Sequence, residues 1–475
     1  MNAGGPAGDR PDYDLIVIGA GPVGENVADY ATRRGLRAAI VEEELVGGEC
    51  SYWACMPSKA LLRSGSALRA ARAVAGAREA ASGELDVAAV LRRRDAFAAN
   101  WHDDGQVSWL ESAGIPLLRG RARLTGPGRI ELDGVPYSAR AVALATGSVP
   151  VLPDIPGLAD AAPWGTREMT SVRQVPQSLA IIGGGVAAVE AATVFASFGT
   201  RVVVLARGGL LSREEPFAGE LVASALRADG VDVRLGTTPH RVDRESGGTV
   251  RIALPDGELL EAQEVLAATG RRPATADLGL ETVGLDPQER IEVDETMLVA
   301  GTDWLYAAGD VNGRALLTHQ GKYQARVAGE AIAARLRGGP VRDEPWGRHA
   351  ATADHAAVPQ VVFTHPEVAR VGLTEREAVR AGLRIRTVDQ EIGAIAGASL
   401  HADGYTGRAR VVVDEDRGIL VGATFAGADV AELLHAATIA VVGEVPLTRL
   451  WHAVPAYPTM SELWLRLLEA YGSAD

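Results

Sequence analysis

Tyr13-Asp14-Leu15-Ile16-Val17-Ile18-Gly19-Ala20-Gly21-Pro22-Val23-Gly24 is the stretch that decides the fold. Its first six residues are apolar and rich in β-branched side chains, which predicts a buried strand. The strand breaks at the glycines, and a helical pattern continues through Tyr30 to Arg34. A second apolar strand, Ala38 to Val41, ends at Glu42. Strand, glycine turn, helix, strand and acid form a dinucleotide fingerprint. Gly19, Gly21 and Gly24 allow the tight turn and the close approach of a pyrophosphate at the helix N-terminus, and Glu42 is placed to take ribose hydroxyls. A glycine motif alone is equally a plain turn, so the weight lies on all five parts standing in register.

The pattern recurs. Leu179 to Ile182 reads as a strand, Gly183-Gly184-Gly185-Val186-Ala187-Ala188 as the turn, and Arg201 to Leu205 as the second strand. Aligned on their first glycines, the copies differ at one informative place. Glu42 lies 23 residues after Gly19, and the residue 23 after Gly183 is Ala206, followed by Arg207. A carboxylate repels a ribose 2′-phosphate, whereas an arginine pairs with it. The first site, with Gly19, Gly21, Gly24 and Glu42, therefore suits FAD. The second, with Gly183, Gly185, Ala188 and Arg207, suits NADPH, and NADH is disfavoured. The bland alternative for Arg207 is a solvated surface arginine, and Arg213 is an accessory cation. Ala145-Thr146-Gly147 and Ala268-Thr269-Gly270 each follow an apolar strand and precede a proline, which puts Thr146 and Gly147 at the first cofactor site. Leu305 to Asp310 is a strand ending in Gly-Asp, where Asp310 can bond the sugar-alcohol chain of a flavin.

At 475 residues, the chain has room for roughly three domains. Met1 to Pro11, rich in Gly, Pro and Ala, reads as a disordered leader without the basic start and apolar run of a signal peptide. No apolar stretch is long enough to span a membrane. A net charge of −14 argues against nucleic acid as a partner. The expected location is the cytoplasm.

Cys50 and Cys55 are the only cysteines, five apart in Gly47-Gly48-Glu49-Cys50-Ser51-Tyr52-Trp53-Ala54-Cys55-Met56-Pro57-Ser58-Lys59. In a cytoplasmic protein such a pair reads as catalytic or metal-binding rather than as a structural staple. Two sulfurs without nearby histidines make an incomplete zinc site. Five residues along an ideal helix separate two Cα atoms by about 7.5 Å of rise and about 140° of rotation, too far for a disulfide. An oxidised pair therefore requires a non-helical turn. Lysine is scarce: of 47 cationic residues only Lys59 and Lys322 are lysines. Lys59 follows Cys55 by four positions.

These motifs resemble the class I flavoprotein disulfide reductases, the group of dihydrolipoamide dehydrogenase, glutathione reductase and mercuric reductase. The resemblance runs from about Tyr13 to Leu468. It is most specific at Gly47 to Lys59 and is supported by Ala308-Gly309-Asp310, Thr364-His365-Pro366-Glu367-Val368 and Pro458-Thr459-Met460-Ser461-Glu462. It implies an α/β fold with two Rossmann-like dinucleotide-binding domains and an α+β C-terminal dimerisation domain. In numbers, residues 1–11 would be the leader, 12–150 the first part of the FAD domain, 151–273 the NAD(P)H domain, 274–344 the rest of the FAD domain and 345–475 the dimerisation domain. It implies a homodimer whose partner completes the site. Cys55 would lie against the flavin and Cys50 face the substrate, with Lys59 beneath the flavin paired to Glu190.

The chain departs from the family near its C-terminus. Members acting on disulfides carry a histidine base before Pro-Thr, oriented by a downstream glutamate matching Glu462. Here the base position is Tyr457, a poor base at neutral pH, and His452 lies five residues upstream. Mercuric reductase also has tyrosine there but uses a C-terminal cysteine pair, and Leu468 to Asp475 contains none. Tyr52 and Trp53 are bulkier than usual between the thiols and either flank a flat substrate or fill the mouth of the site. The leading expectation is an NADPH-dependent FAD oxidoreductase passing electrons through Cys50 and Cys55 to a small acceptor: a disulfide, a quinone or another electrophile. The alternatives are a mercuric-ion or other metal reductase, a dihydrolipoamide dehydrogenase-like enzyme, and a non-enzymatic redox-sensing flavoprotein.

Overall fold

The strand Tyr13–Ile18 forms as expected, and its alternation explains why. Leu15 and Val17 face a core shared with the helices Pro22–Arg33 and Thr318–Leu336, through residues such as Val27, Ala31, Ala328 and Ile332. Ile16 and Ile18 face the other way, into a cluster with Leu124, Ile130 and Val299. A strand buried on both faces must be apolar throughout, as parallel strands are. The computed structural model describes residues 10–472, so of the expected leader only Arg10 and Pro11 fall inside the described residues.

The chain divides into two compact units. The first comprises residues 10–52, 98–149 and 271–354. Its sheet runs in the order Leu117–Arg119, Ala38–Glu42, Tyr13–Ile18, Val135–Leu144, with Leu305–Ala307 pairing alongside Val135–Leu144. All of these pairings are parallel. An antiparallel arm, Ala122–Gly126 and Arg129–Leu132, extends from the long strand Val135–Leu144.

The second unit comprises residues 53–97, 150–270 and 355–472. It repeats the parallel architecture in four strands, ordered Asp232–Leu235, Arg201–Ala206, Ser178–Ile182, Glu264–Ala267. It also holds the predicted α+β region. There, five antiparallel strands run in the order Gln360–Val362, Glu367–Gly372, Ile419–Gly427, Arg408–Asp414, Ile385–Glu391, with helices such as Leu434–Val442 and Glu462–Gly472. One apolar cluster joins Leu61, Val189, Val362 and Ala426, so the helix Cys55–Arg72, the second glycine-turn helix and the antiparallel sheet share a core. The boundary between Tyr52 and Trp53 leaves Cys50 in the first unit and Cys55 in the second.

Candidate active site

In the first unit the turn after Tyr13–Ile18 is built on backbone that only glycine tolerates. Gly19 has φ +101°, and a Cβ there would lie 2.5 Å from the carbonyl oxygen of Ala145. A Cβ on Gly24 would stand 1.8 Å from Gly19 O, so the helix Pro22–Arg33 sits hard against the turn. Gly21 caps that helix, with Pro22 at its first position. Glu42 closes the loop: its Oε2 accepts from the Ala20 N–H and its Oε1 from the Glu44 N–H, both at 2.8 Å. Burial pushes its carboxyl up, against those hydrogen bonds. Thr146 donates to Ala274 O, and the Ala274 N–H donates to Gly147 O.

Asp310 is also half-buried here. Its Oδ2 accepts from the Ser148 hydroxyl at 2.5 Å, Arg271 donates to the same Ser148, and burial again raises the carboxyl. Arg271 also pairs with Glu49, the neighbour of Cys50, at 2.7 Å. These features fit FAD. The glycine turn would offer its helix N-terminus to a pyrophosphate, a Cβ on Gly48 would come within 2.8 Å of the Gly21 Cα, and Glu42 and Asp310 are acceptors with lone pairs to spare for sugar hydroxyls.

The second turn repeats the geometry. Gly183 has φ +135°, and its Cβ would lie 2.3 Å from Ala268 O. Gly185 caps the helix Val186–Ser197. Ala188 and Ala206 are both buried, and Arg207 and Arg213 are exposed. Glu190, on the same helix, is buried with its carboxylate paired to Lys59 Nζ at 2.8 and 3.0 Å. The Phe363 N–H donates to Glu190 Oε1 at 3.1 Å, and the Lys59 ammonium lies 5.0 Å from the Phe363 ring centroid. Phe363 was not foreseen, although it immediately precedes the Thr364-His365-Pro366 motif.

Between the two cysteines the backbone leaves the regular helix. The short helix Gly48–Tyr52 ends, Ala54 adopts φ −131°, ψ −96°, and a new helix starts at Cys55. Lys59, one turn on, shares a helix face with Cys55. Tyr52 is buried, with its hydroxyl donating to Val46 O at 2.9 Å. It therefore fills the interior and does not flank a substrate. Trp53 is half-buried, its ring lies under the Arg167 guanidinium at 4.1 Å, and its carbonyl accepts from Thr170. Neither Thr170 nor Arg167 carried a sequence signal.

Tyr457 is 76% exposed. Glu462 is buried, but its oxygens accept from the Ala396 N–H and from Arg466. His452 is exposed. Among the described residues no cluster of His, Cys, Asp and Glu is suited to hold a metal ion, and no helix is long and apolar enough to cross a membrane.

Comparison with known proteins adds an independent view. The family model described as pyridine nucleotide-disulphide oxidoreductase matches residues 13–331, and that of the corresponding dimerisation domain matches residues 358–467. A glutathione reductase of Burkholderia cepacia is 32% identical over 467 residues, covering 96% of this chain and 98% of the relative. A dihydrolipoyl dehydrogenase of Thermus scotoductus is 32% identical, covering 96% and 97%. A mercuric reductase of Staphylococcus aureus is 29% identical, covering 95% and 81%. Among solved structures, the HOCl-induced flavoprotein disulfide reductase RclA of Escherichia coli superimposes with a TM-score of 0.82 at 25% identity, covering 96% of this chain and 99% of that one.

Proposed function

Because the chain belongs to the pyridine nucleotide-disulphide oxidoreductases, the class I flavoprotein disulfide reductases, we propose that it takes its electrons from NADPH and passes them through Cys50 and Cys55 to a small acceptor. Members of this family are enzymes that use FAD and NAD(P)H. Bound in the first glycine turn, FAD supplies a carrier that accepts a hydride and delivers two electrons to sulfur. Residues 12–150 and 274–344 would hold it, residues 151–273 the coenzyme, and residues 345–475 would form the dimer.

The observation that carries the NADPH preference is the end of the strand Arg201–Ala206. A buried alanine stands where Glu42 stands in the first copy, and the next residue is an exposed arginine. Opening a Cys50–Cys55 disulfide consumes two electrons and two protons and yields two thiols; the acceptor takes both electrons and closes it again. Cys55 is the first residue of an 18-residue helix, where backbone N–H groups favour a thiolate. Lys59, held by Glu190, supplies a compact positive charge one turn away. Tyr457 in place of a histidine shifts the acceptor toward quinones and other electrophiles that need little proton transfer, since a phenol is a poor general base at neutral pH. Trp451, Val454 and Tyr457 form an exposed apolar run that a second copy would cover. The proposed location is the cytoplasm, where a close cysteine pair serves redox chemistry.

Anaerobic titration with NADPH and then NADH tests this reading. A long-wavelength thiolate-to-flavin band should appear at lower NADPH than NADH concentration and vanish in Cys55→Ser. Preference for NADH would refute the role of Arg207. Lys59→Arg keeps the charge but replaces a compact ammonium with a planar fork, so rapid-reaction reduction of the flavin should slow about tenfold. An unchanged rate would remove Lys59 from the site.

A further inference from the structure

The loop that follows Ala206 has no need, from its own sequence, to hold a fixed shape. Gly208 and Gly209 have open space around them, and glycine costs most to order. Both cations proposed for the 2′-phosphate, Arg207 and Arg213, stand on it and are exposed. Yet the loop is fastened at its far end by two consecutive carboxylates, Glu214 and Glu215, whose side chains are each only 3% exposed.

Two adjacent buried carboxylates are unfavourable unless each is paired. Both partners come from the antiparallel sheet. Arg370, on Glu367–Gly372, meets Glu214 Oε2 at 2.7 Å. Arg410, on Arg408–Asp414, meets Glu215 Oε2 at 3.1 Å and is itself oriented by Asp389, which accepts from its Nε and Nη2 at 2.8 and 2.9 Å. The other oxygen of Glu215 accepts from the Glu375 N–H at 2.7 Å. Exposed Arg376 adds a bond to Ser212 O at 3.1 Å. The near end is held by the Leu211 N–H donating to Gly184 O, inside the glycine turn.

The geometry points to Arg370 and Arg410 as positioning residues for coenzyme selectivity, acting from the region matched by the dimerisation-domain model through Glu214 and Glu215 on the loop that presents Arg207 and Arg213. The inference rests on the NADPH reading above. A fixed loop presents its cations with their ordering entropy already spent, which strengthens contacts to the 2′-phosphate. Contacts common to NADPH and NADH are made at the glycine turn, which Leu211 ties down independently of the carboxylates. Loosening the clamp should therefore weaken NADPH alone.

The test is flavin reduction in the holoenzyme, measured by stopped flow with each coenzyme. Glu215→Gln should raise the NADPH concentration for half-maximal reduction about fivefold, leaving the limiting rate and the NADH value unchanged. Arg376→Ala, a surface change that leaves the fold intact, should shift the same ratio about twofold. In an Arg207→Ala, Arg213→Ala double-variant background, Glu215→Gln should add nothing further. Equal weakening of both coenzymes would reduce the clamp to a structural brace and overturn the inference. A wild-type ratio in Glu215→Gln beside a lowered ratio in Arg207→Ala would overturn the clamp alone. A wild-type ratio in Arg207→Ala would instead overturn the NADPH reading. If Glu215→Gln does not fold, Arg376→Ala decides by the same ratio.

Discussion

The two glycine turns are near copies in backbone and differ in what their side chains can discriminate. In both, the first glycine takes a positive φ, +101° at Gly19 and +135° at Gly183, and a Cβ there would run into the carbonyl just past the end of the neighbouring strand, that of Ala145 or of Ala268. Each turn leads into a 12-residue helix. Beyond this frame they diverge. At the end of the second strand, Glu42 has its carboxylate tied to two backbone N–H groups, whereas Ala206 leaves that position to a methyl group and hands the charge to Arg207. At the third glycine position the first turn has Gly24 and the second has Ala188. The frame proposed to cradle a pyrophosphate is thus separable from the residues proposed to choose the ribose and from those that set how closely the helix packs.

The comparison breaks most visibly at Gly24. A Cβ there would stand 1.8 Å from Gly19 O and 3.3 Å from the Ala145 Cβ. Neither is the end of a flexible side chain, so the helix Pro22–Arg33 must move off the sheet. Gly24→Ala should cost about 3 kcal/mol or more and release FAD, seen as a lower Tm and as protein purified without flavin. A yellow, fully stable Gly24→Ala protein would show that the first turn has the slack of the second.

The first helix also carries Glu25 where the second carries the buried Val189. Burial pushes the Glu25 carboxyl up to about 7, with Lys322 pulling it down and Glu42 raising it slightly. The folded state thus holds this proton more tightly than the unfolded chain does. Its contribution is complete below the ordinary carboxyl value of 4.5 and is lost as pH rises to about 7. A shift of this size corresponds to about 3 kcal/mol. Chemical denaturation between pH 4.5 and 7 should reveal this decline in wild type, and Glu25→Gln should flatten it. An identical slope in both proteins would place the dependence elsewhere.

These contrasts show what could be read from the sequence and what could not. The strand Tyr13–Ile18, both turns, and the Ala206-Arg207 substitution were legible because periodicity and spacing are local. The helix break between Cys50 and Cys55 was legible because a regular helix holds residues five apart at an unsuitable distance. The hydrogen bond from the Phe363 N–H to Glu190, the Ser148–Arg271 support of Asp310, and the pairing of Glu214 and Glu215 with Arg370 and Arg410 were not. Each joins residues more than 120 positions apart, so only the packed fold brings them together. Tyr52 left two readings open for a related reason. An aromatic residue beside a redox pair suggests a substrate contact, but the direction of its side chain depends on where the short helix ends.

The ribose position gives the next effect in size. In the first copy the carboxylate of Glu42 accepts from the Ala20 N–H, and Gly184 is the residue equivalent to Ala20. Ala206→Glu would rebuild that arrangement, since the Ala206 methyl already faces Gly184: a Cβ on Gly184 would lie 3.0 Å from it. The new carboxylate should repel the 2′-phosphate and accept from ribose hydroxyls. NADPH affinity should fall about tenfold, with NADH unchanged or improved. Isothermal titration with the two oxidised coenzymes checks this, and a uniform loss for both would mean that the side chain only blocks the site.

The smallest expected effect is the converse of the first. Ala188 stands fully buried at the third glycine position of the second turn. Its methyl packs in the apolar cluster with Val189, Val204 and Leu266. Ala188→Gly removes that contact and adds backbone freedom to a helix, a cost of about 1 kcal/mol. It does not clash with anything, so flavin content should stay at the wild-type level while Tm falls by a few degrees. The asymmetry between the two substitutions is the informative quantity. If Ala188→Gly were as damaging as Gly24→Ala, helix packing at the third position would be equally strict in both turns. The difference between Gly24 and Ala188 would then reflect how each helix is filled, and not how closely it approaches its strand.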